Sequence, residues 1–472
     1  MQKIETDICV IGAGSGGLSV AAGAVQMGAR VVLIEGGKMG GDCLNSGCVP
    51  SKALIAAAKA AHAMRSGVAF GIAPVEPQVD FAAVKDHVFK VIETIAPVDS
   101  QERFEGLGCT VIRAWARFVG PDMVEAGDKR IKARRFVIAT GSRPFVPPIP
   151  GLADLPYYTN ETIFALRERP EHLIVIGGGP IGMEMAQAHR RLGCKVTVVE
   201  GAKALGRGDP ELAAVVLENL RGEGVEILEN SPVTSVSGSA GAIDVGLGDG
   251  RTVSGSHLLV AVGRQVHLDG LNLEVAGVSY DRKGVKVDAS LRASNRKVYA
   301  IGDAAGGLQF THVAGYHAGV VIRQIVLGLP AKATMRHIPW ATYTDPELAQ
   351  VGLTEAEAKK AHGEALTVLR QEFRHNDRAL AEGKGKGLLK VMVVKGKPVG
   401  ASMAGPMAGE LIGLWALAIS SGLKMGSIAG MVAPYPTMGE ISKRAAGAYF
   451  SPKLFDNPLL KRVVGLVQRY LP

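Results

Sequence analysis

Apolar and polar positions along this chain fall into a pattern that occurs twice. From Asp7 to Glu35 the sequence reads DICVIGAGSGGLSVAAGAVQMGARVVLIE, and from His172 to Glu200 it reads HLIVIGGGPIGMEMAQAHRRLGCKVTVVE. Each copy opens with a short continuous apolar run, breaks at closely spaced glycines, and passes through a helical segment. Each then ends in a second apolar run that stops at a glutamate. Continuous apolar runs of this length predict strands buried on both faces, and the segment between them predicts a crossover helix. The offset between the copies is 165 residues, from Gly12 to Gly177. Three later apolar runs end in glycine turns: Phe136–Pro144 (FVIATGSRP), with Thr140 and Gly141 in its turn, Leu258–Arg264 (LLVAVGR), with Gly263, and Val298–Ala304 (VYAIGDA), with Gly302 and Asp303. Leu388–Val394 is strand-like, and Leu411–Val432 is apolar enough to raise the question of a membrane span. That stretch contains Lys424 and four glycines and leads into Pro434-Tyr435-Pro436, so a buried helix followed by a loop is expected, with no stable membrane span.

The spacing inside the repeat has a chemical reading. Gly12, Gly14 and Gly17 align with Gly177, Gly179 and Gly182, and Glu35 aligns with Glu200. The first glycine permits the tight turn, the second lets backbone approach a pyrophosphate, and the third lets helix pack on strand. The helix N-terminus then offers unpaired N–H groups to phosphate, and the glutamate accepts from ribose hydroxyls. Two complete copies imply two bound dinucleotides.

Composition narrows the class. A chain of 472 residues, 47% hydrophobic and 21% charged, is globular and long enough for about three domains. A net charge of +9 without basic runs interleaved with aromatics argues against nucleic acid as partner; anionic cofactors are the better match. Five cysteines make no secreted disulfide framework. Cys9, Cys109 and Cys194 lie in apolar strand-like runs and are expected in the core. The strand at Asp7–Ile11 begins almost at once, with no signal-peptide pattern before it, so a cytoplasmic location is expected.

Cys43 and Cys48 are different. They lie in the run GGDCLNSGCVPSK from Gly40 to Lys52, crowded by Gly40, Gly41 and Gly47 and followed by Pro50. Together with the doubled nucleotide pattern, this run resembles the redox-active disulfide of the flavoprotein disulfide reductases, the family of lipoamide dehydrogenase, glutathione reductase and mercuric reductase. The resemblance extends along nearly the whole chain. It implies an α/β fold with two Rossmann-like dinucleotide-binding domains and a C-terminal α+β dimerisation domain. Residues 1–148 and 269–336 would bind FAD, 149–268 NAD(P), and 337–472 would form the homodimer interface. Pro144, Pro147, Pro148 and Pro150 mark the first linker.

The same resemblance assigns roles. Cys48 becomes the thiolate nearer the flavin, and Cys43 the exposed thiol that attacks the acceptor. Lys52 and Glu184 match an ion pair beside the flavin, and Asp303 would meet its ribityl chain. Electrons would pass from nicotinamide through FAD to Cys43–Cys48 and on to a small-molecule acceptor, with a disulfide expected. Glu200 suits the free ribose of NADH; Lys203 and Arg207 nearby keep NADPH compatible. His312 and His317, after the flavin motif, could stand near the isoalloxazine, though isolated histidines of this kind are more often structural.

One departure stands out. Many relatives carry His-x-His-Pro-Thr-x-x-Glu, whose second histidine, lent by the partner subunit, is the base for thiol exchange. Here the run is APYPTMGE, from Ala433 to Glu440, with Tyr435 in the histidine's place and Glu440 retained. A phenol of pKa about 10 cannot replace an imidazole of pKa about 6.5 at neutral pH. Tyrosine here is similar to mercuric reductases, but Leu466–Pro472 has none of the vicinal cysteines that those enzymes use to hand over the metal ion. Weak lipoamide exchange, soft-metal-ion reduction, quinone reduction and a non-turnover redox sensor stay open as alternatives.

Overall fold

The computed structural model describes residues 1–471. The chain divides into two compact units: Met1–Gly201 with Val225–Thr334, and Ala202–Gly224 with the chain from Met335 onward.

In the first unit, both copies of the repeat fold as strand, glycine turn, helix and strand. Gln2–Ile11, helix Ser15–Gln26 and Val31–Ile34 form the first; His172–Ile176, helix Pro180–Arg191 and Lys195–Val199 form the second. The first copy joins a seven-stranded sheet in which Gln2–Ile11 pairs in parallel with both Val31–Ile34 and Lys129–Ile138. Val298–Ala300 adds in parallel to Lys129–Ile138, so the VYAIGDA run ends at the same sheet edge as the first glycine loop. The second copy forms a four-stranded parallel sheet with Val225–Leu228 and His257–Val260 outermost. The central strands are largely apolar because both faces of each sheet are covered: Ile8, Val10 and Leu33 pack with Leu18 and Ala21 of the first helix, and Ile174, Ile176, Leu258 and Val260 pack against the strands Val233–Ser239 and Ala242–Leu247. Cys9, Cys109 and Cys194 are buried, as their apolar surroundings predict.

The second unit is built on a five-stranded antiparallel sheet that includes Leu388–Val394. The apolar Leu411–Val432 stretch is split between helix Ala408–Ser420, helix Met425–Ala429 and turns. Trp415 is fully buried in this unit's core and donates its indole N–H to Ser442 Oγ at 3.2 Å. No helix among the described residues is long and apolar enough to cross a membrane.

Ala202–Gly224 interrupts the four-stranded sheet in sequence yet belongs to the second unit, and buried charge helps to hold it there. Asp209 caps helix Pro210–Gly222 and accepts from Lys390 Nζ at 2.9 Å; Glu355 accepts from the same ammonium at 3.0 Å. Lys390 is only 3% exposed. Removing one partner of a buried pair leaves the others desolvated and uncompensated, at a cost of about 3–5 kcal/mol. Lys390→Met is therefore expected to destabilise the second unit by about that much, read as a lowered denaturant midpoint. A shift too small to resolve would show that the carboxylates are solvated.

Candidate redox-active site

The cysteine run is seated on the first glycine loop. Gly40 N–H donates to Ala13 O at 2.9 Å, and a Cβ on Gly41 would come within 2.7 Å of Gly14 Cα. Gly40 and Gly41 both take positive φ, +83° and +60°, which is why glycine is required there. Asn160 clamps the run from outside, donating to Ser46 O at 3.1 Å and to Asp42 Oδ1 at 3.2 Å. Cys43 lies in the short helix Gly41–Asn45, whereas Cys48 is the first residue of helix Cys48–Arg65. The pair is held as two free thiols. Cys43 is half-buried and turned toward Ser15, and Cys48 is exposed.

The two sulfurs are electrostatically unequal. Cys48 is lowered to about 6, first by the hydrogen bond from Cys43, then by Thr311 and the charge of Lys52. Its Sγ lies 3.3 Å from Thr311 Oγ1, and its place at a helix N-terminus adds a positive dipole end. Cys43 is pushed well above the usual thiol range by holding the shared proton and by burial. In the dithiol state Cys48 therefore carries the negative charge at neutral pH and Cys43 keeps the proton. Iodoacetamide alkylation at Cys48 is expected to fall as pH drops through about 6, since only the thiolate reacts. In Cys43→Ala the inflection should move up toward the ordinary thiol value of about 8.5. An unmoved inflection would assign the stabilisation elsewhere.

Lys52 lies one helical turn after Cys48, and its Nζ donates to Glu184 Oε2 at 2.8 Å. Glu184 is 5% exposed on helix Pro180–Arg191, so this ion pair joins the cysteine helix to the second nucleotide unit. A polar chain runs from the cysteine loop to the VYAIGDA turn. Arg264 pairs with Asp42 at 3.2 Å and donates to Ser142 Oγ at 2.7 Å, and Ser142 Oγ donates to Asp303 Oδ2 at 2.5 Å. Burial raises Asp303 above the usual carboxylate range. His317 is buried, and its Nδ1 accepts from Gly302 N–H at 3.2 Å; burial keeps it below the usual imidazole value. His312 stacks on Phe310. His317 in particular is a structural histidine.

The two glycine loops match atom by atom. Gly12 and Gly177 have φ of +103° and +112°. A Cβ on Gly17 would lie 1.8 Å from Gly12 O, and one on Gly182 would lie 2.0 Å from Gly177 O. A Cβ on Gly179 would meet nothing within 4 Å and one on Gly14 only Gly41 Cα at 3.8 Å, so neither second glycine is required by protein packing, and close approach of a phosphate is what it serves. Helices Ser15–Gln26 and Pro180–Arg191 start with no side-chain cap, which leaves first-turn N–H groups for an anion. Glu35 accepts from Ala13 N–H at 2.6 Å and Glu200 from Gly178 N–H at 2.7 Å, the same bond in both copies. Beside the first loop, Thr140 Oγ1 is buried without a hydrogen-bond partner, a polar atom that a bound cofactor would satisfy. Gly141 and Gly263 take φ of +69° and +133° at the two later turns.

In the second unit, Tyr435 is 69% exposed and its hydroxyl donates to Asp377 Oδ2 at 3.1 Å. That bond raises its pKa further above the phenol range. Asn376 fixes the loop by donating to Thr437 O at 3.0 Å. Glu440, which opens helix Glu440–Ala448, keeps a buried Oε2 with no hydrogen-bond partner.

Sequence reasoning missed Asp42, Ser142, Arg264, Thr311 and Asp377. Asp42, Ser142 and Arg264 lie inside motifs already singled out, and Thr311 directly precedes His312. Only their polar character within those runs could have flagged them.

This constellation is that of a two-nucleotide flavoprotein with a dithiol relay, and comparison with known proteins agrees. The family described as pyridine nucleotide-disulphide oxidoreductase matches residues 6–318, and that family's dimerisation domain matches 338–446. The chain belongs to the pyridine nucleotide-disulfide oxidoreductases. The mercuric reductase of Streptomyces lividans is 34% identical over 458 residues, 94% of this chain and 96% of that protein. The dihydrolipoyl dehydrogenase of Geobacillus stearothermophilus is 34% identical over 455 residues, with the same coverage. Among solved structures, the Cu(II) complex of RclA, an HOCl-induced flavoprotein disulfide reductase from Escherichia coli, aligns with a TM-score of 0.82 at 28% identity, covering 93% of this chain and 99% of RclA. LpdA from Mycobacterium tuberculosis aligns with a TM-score of 0.87 at 25% identity, covering 95% and 100%. The protein is thus an FAD-dependent oxidoreductase with NAD(P)H as electron donor. Gly12, Gly14, Gly17, Glu35, Thr140 and Asp303 are the residues that would hold FAD.

Proposed function

We propose that this chain is an NADH-dependent reductase, working as a homodimer, that charges the Cys43–Cys48 disulfide with two electrons and passes them to a small-molecule acceptor. Bound FAD supplies the two-electron relay between nicotinamide and sulfur. The chain's own residues manage charge and protons. Reduction of the disulfide takes two electrons and one proton; Cys43 keeps the proton and Cys48 the charge, stabilised by Thr311 and Lys52. Glu35 and Glu200 orient their loops, and Glu184 holds Lys52 in place.

The observation that carries the reading is Tyr435 in place of the expected imidazole. Cys43 is a thiol pushed up in pKa, so disulfide exchange at neutral pH needs a base to free its thiolate. Tyr435 cannot serve. Fast disulfide charging with slow turnover of lipoamide or oxidised glutathione follows. A soft metal ion is the second reading, favoured because binding such an ion displaces the thiol proton and so replaces the base. Among the described residues no group of three or more His, Cys, Asp or Glu could hold a metal, so the two sulfurs would bind the ion alone. The names of the mercuric reductases and the Cu(II) complex of RclA support this reading by similarity.

The test is an anaerobic NADH titration followed by disulfide, soft-metal and quinone acceptors. Glu200 repels a 2′-phosphate, so a higher kcat/KM is expected with NADH than with NADPH. The reverse order would make Lys203 or Arg207 the determinant. Charging without turnover of any acceptor would make the chain a redox sensor.

A further inference from the structure

Helix Pro458–Tyr470 lies beyond the matched dimerisation segment, which stops at residue 446. None of its residues is buried, and every position from Lys461 to Leu471 is exposed. Its sequence is nevertheless divided cleanly. At 100° per residue, Leu459, Leu460, Val463, Val464, Leu466, Val467 and Tyr470 fill one arc of about 160°. Lys461, Arg462, Gly465, Gln468 and Arg469 fill the opposite arc, with no residue out of place and no acid anywhere in the helix. Asn457 caps it, accepting from Leu459 N–H at 3.0 Å, and Pro458 starts it, so its ends are specified locally.

We propose that this helix lies on an anionic lipid surface. An apolar arc that wide, on a helix with no buried residue, needs an occupant. The rim identifies it. Lys461, Arg462 and Arg469 border the apolar face with positive charge only, which complements lipid phosphates. The same helix of a second copy, packed face to face on it across a two-fold axis, would bring like-charged rims together instead. Thirteen residues span about 20 Å, too short to cross a hydrocarbon core of about 30 Å, so the helix lies in the interface plane. Just upstream, across the exposed Asp456 and the cap Asn457, Leu454 and Phe455 are exposed beside Lys453.

Flotation of the FAD-loaded full chain with vesicles tests this. Binding to phosphatidylglycerol–phosphatidylcholine vesicles is expected to be on the order of 10²-fold tighter than to pure phosphatidylcholine, and to weaken with salt. Lys461→Glu/Arg462→Glu/Arg469→Glu should abolish that preference while leaving the apolar face intact. Val463→Asp/Leu466→Asp should abolish binding altogether, with mass in solution and NADH-dependent disulfide reduction unchanged. An unmodified chain that stays free of anionic vesicles overturns the proposal. So does an apolar variant that still binds, or one that converts a dimer to a monomer, which would give this face to a second copy.

Discussion

Tyr435→His is expected to raise turnover with lipoamide or oxidised glutathione by on the order of 10²-fold, while leaving the rate of disulfide charging by NADH unchanged. General acid–base assistance is worth roughly 10²–10⁴-fold, and the missing component is a group titrating near neutrality. Its orienting partner is already present: Glu440 holds a buried carboxylate oxygen with no hydrogen-bond partner, set at the start of helix Glu440–Ala448. The new turnover should depend on pH through the imidazole. It would fall as the ring protonates, near 6.5 or somewhat above if Glu440 pairs with it. Tyr435→Phe, which removes only the bond to Asp377, should leave disulfide turnover low. If the unmodified chain already turns over these disulfides briskly, another base serves and the role given to Tyr435 is wrong.

Cys48→Ala and Cys43→Ala should each lower acceptor reduction by about 10³-fold or more, because either change removes the dithiol that stores the electron pair. The two variants should differ in what survives. Cys43→Ala leaves Cys48 next to Thr311 and Lys52, so it keeps a larger thiolate fraction than a lone Cys43 would, though it loses the hydrogen bond that lowers its pKa most. Cys48→Ala leaves only Cys43, relieved of a proton-sharing partner but still partly buried, and so mostly protonated at neutral pH. Alkylation at neutral pH should therefore be faster in Cys43→Ala than in Cys48→Ala. Equal rates would show that the asymmetry of the pair does not come from its surroundings. Retained acceptor reduction in either variant would place the chemistry away from the cysteines.

Much of this was legible locally. The doubled pattern of apolar run, glycine turn, helix and apolar run predicts two βαβ units, and both formed with their glycines where positive φ or close packing demands them. Such signals lie within about thirty residues, where chain geometry alone couples spacing to structure. The burial of Cys9, Cys109 and Cys194 follows the same logic, since each lies in an apolar run. Cys43, Cys48 and the tyrosine at 435 were visible as chemistry because residue type and spacing carry it.

What only tertiary structure decided involves partners far apart in sequence. Thr311 reaches Cys48 from 263 residues away, and Arg264 reaches Asp42 across 222. No periodicity records such pairings, because they depend on which strand ends converge at one sheet edge. The inequality of the two sulfurs belongs here too: a pKa is set by neighbours, burial and helix ends, and identical cysteines acquire opposite shifts once folded. The placement of Ala202–Gly224 in the second unit rests likewise on Lys390, a buried ammonium that an otherwise apolar strand pattern gives no reason to expect. Its partners Asp209, Glu211 and Glu355 lie far from it along the chain, and only folding brings the four charges together and makes burying the ammonium tolerable.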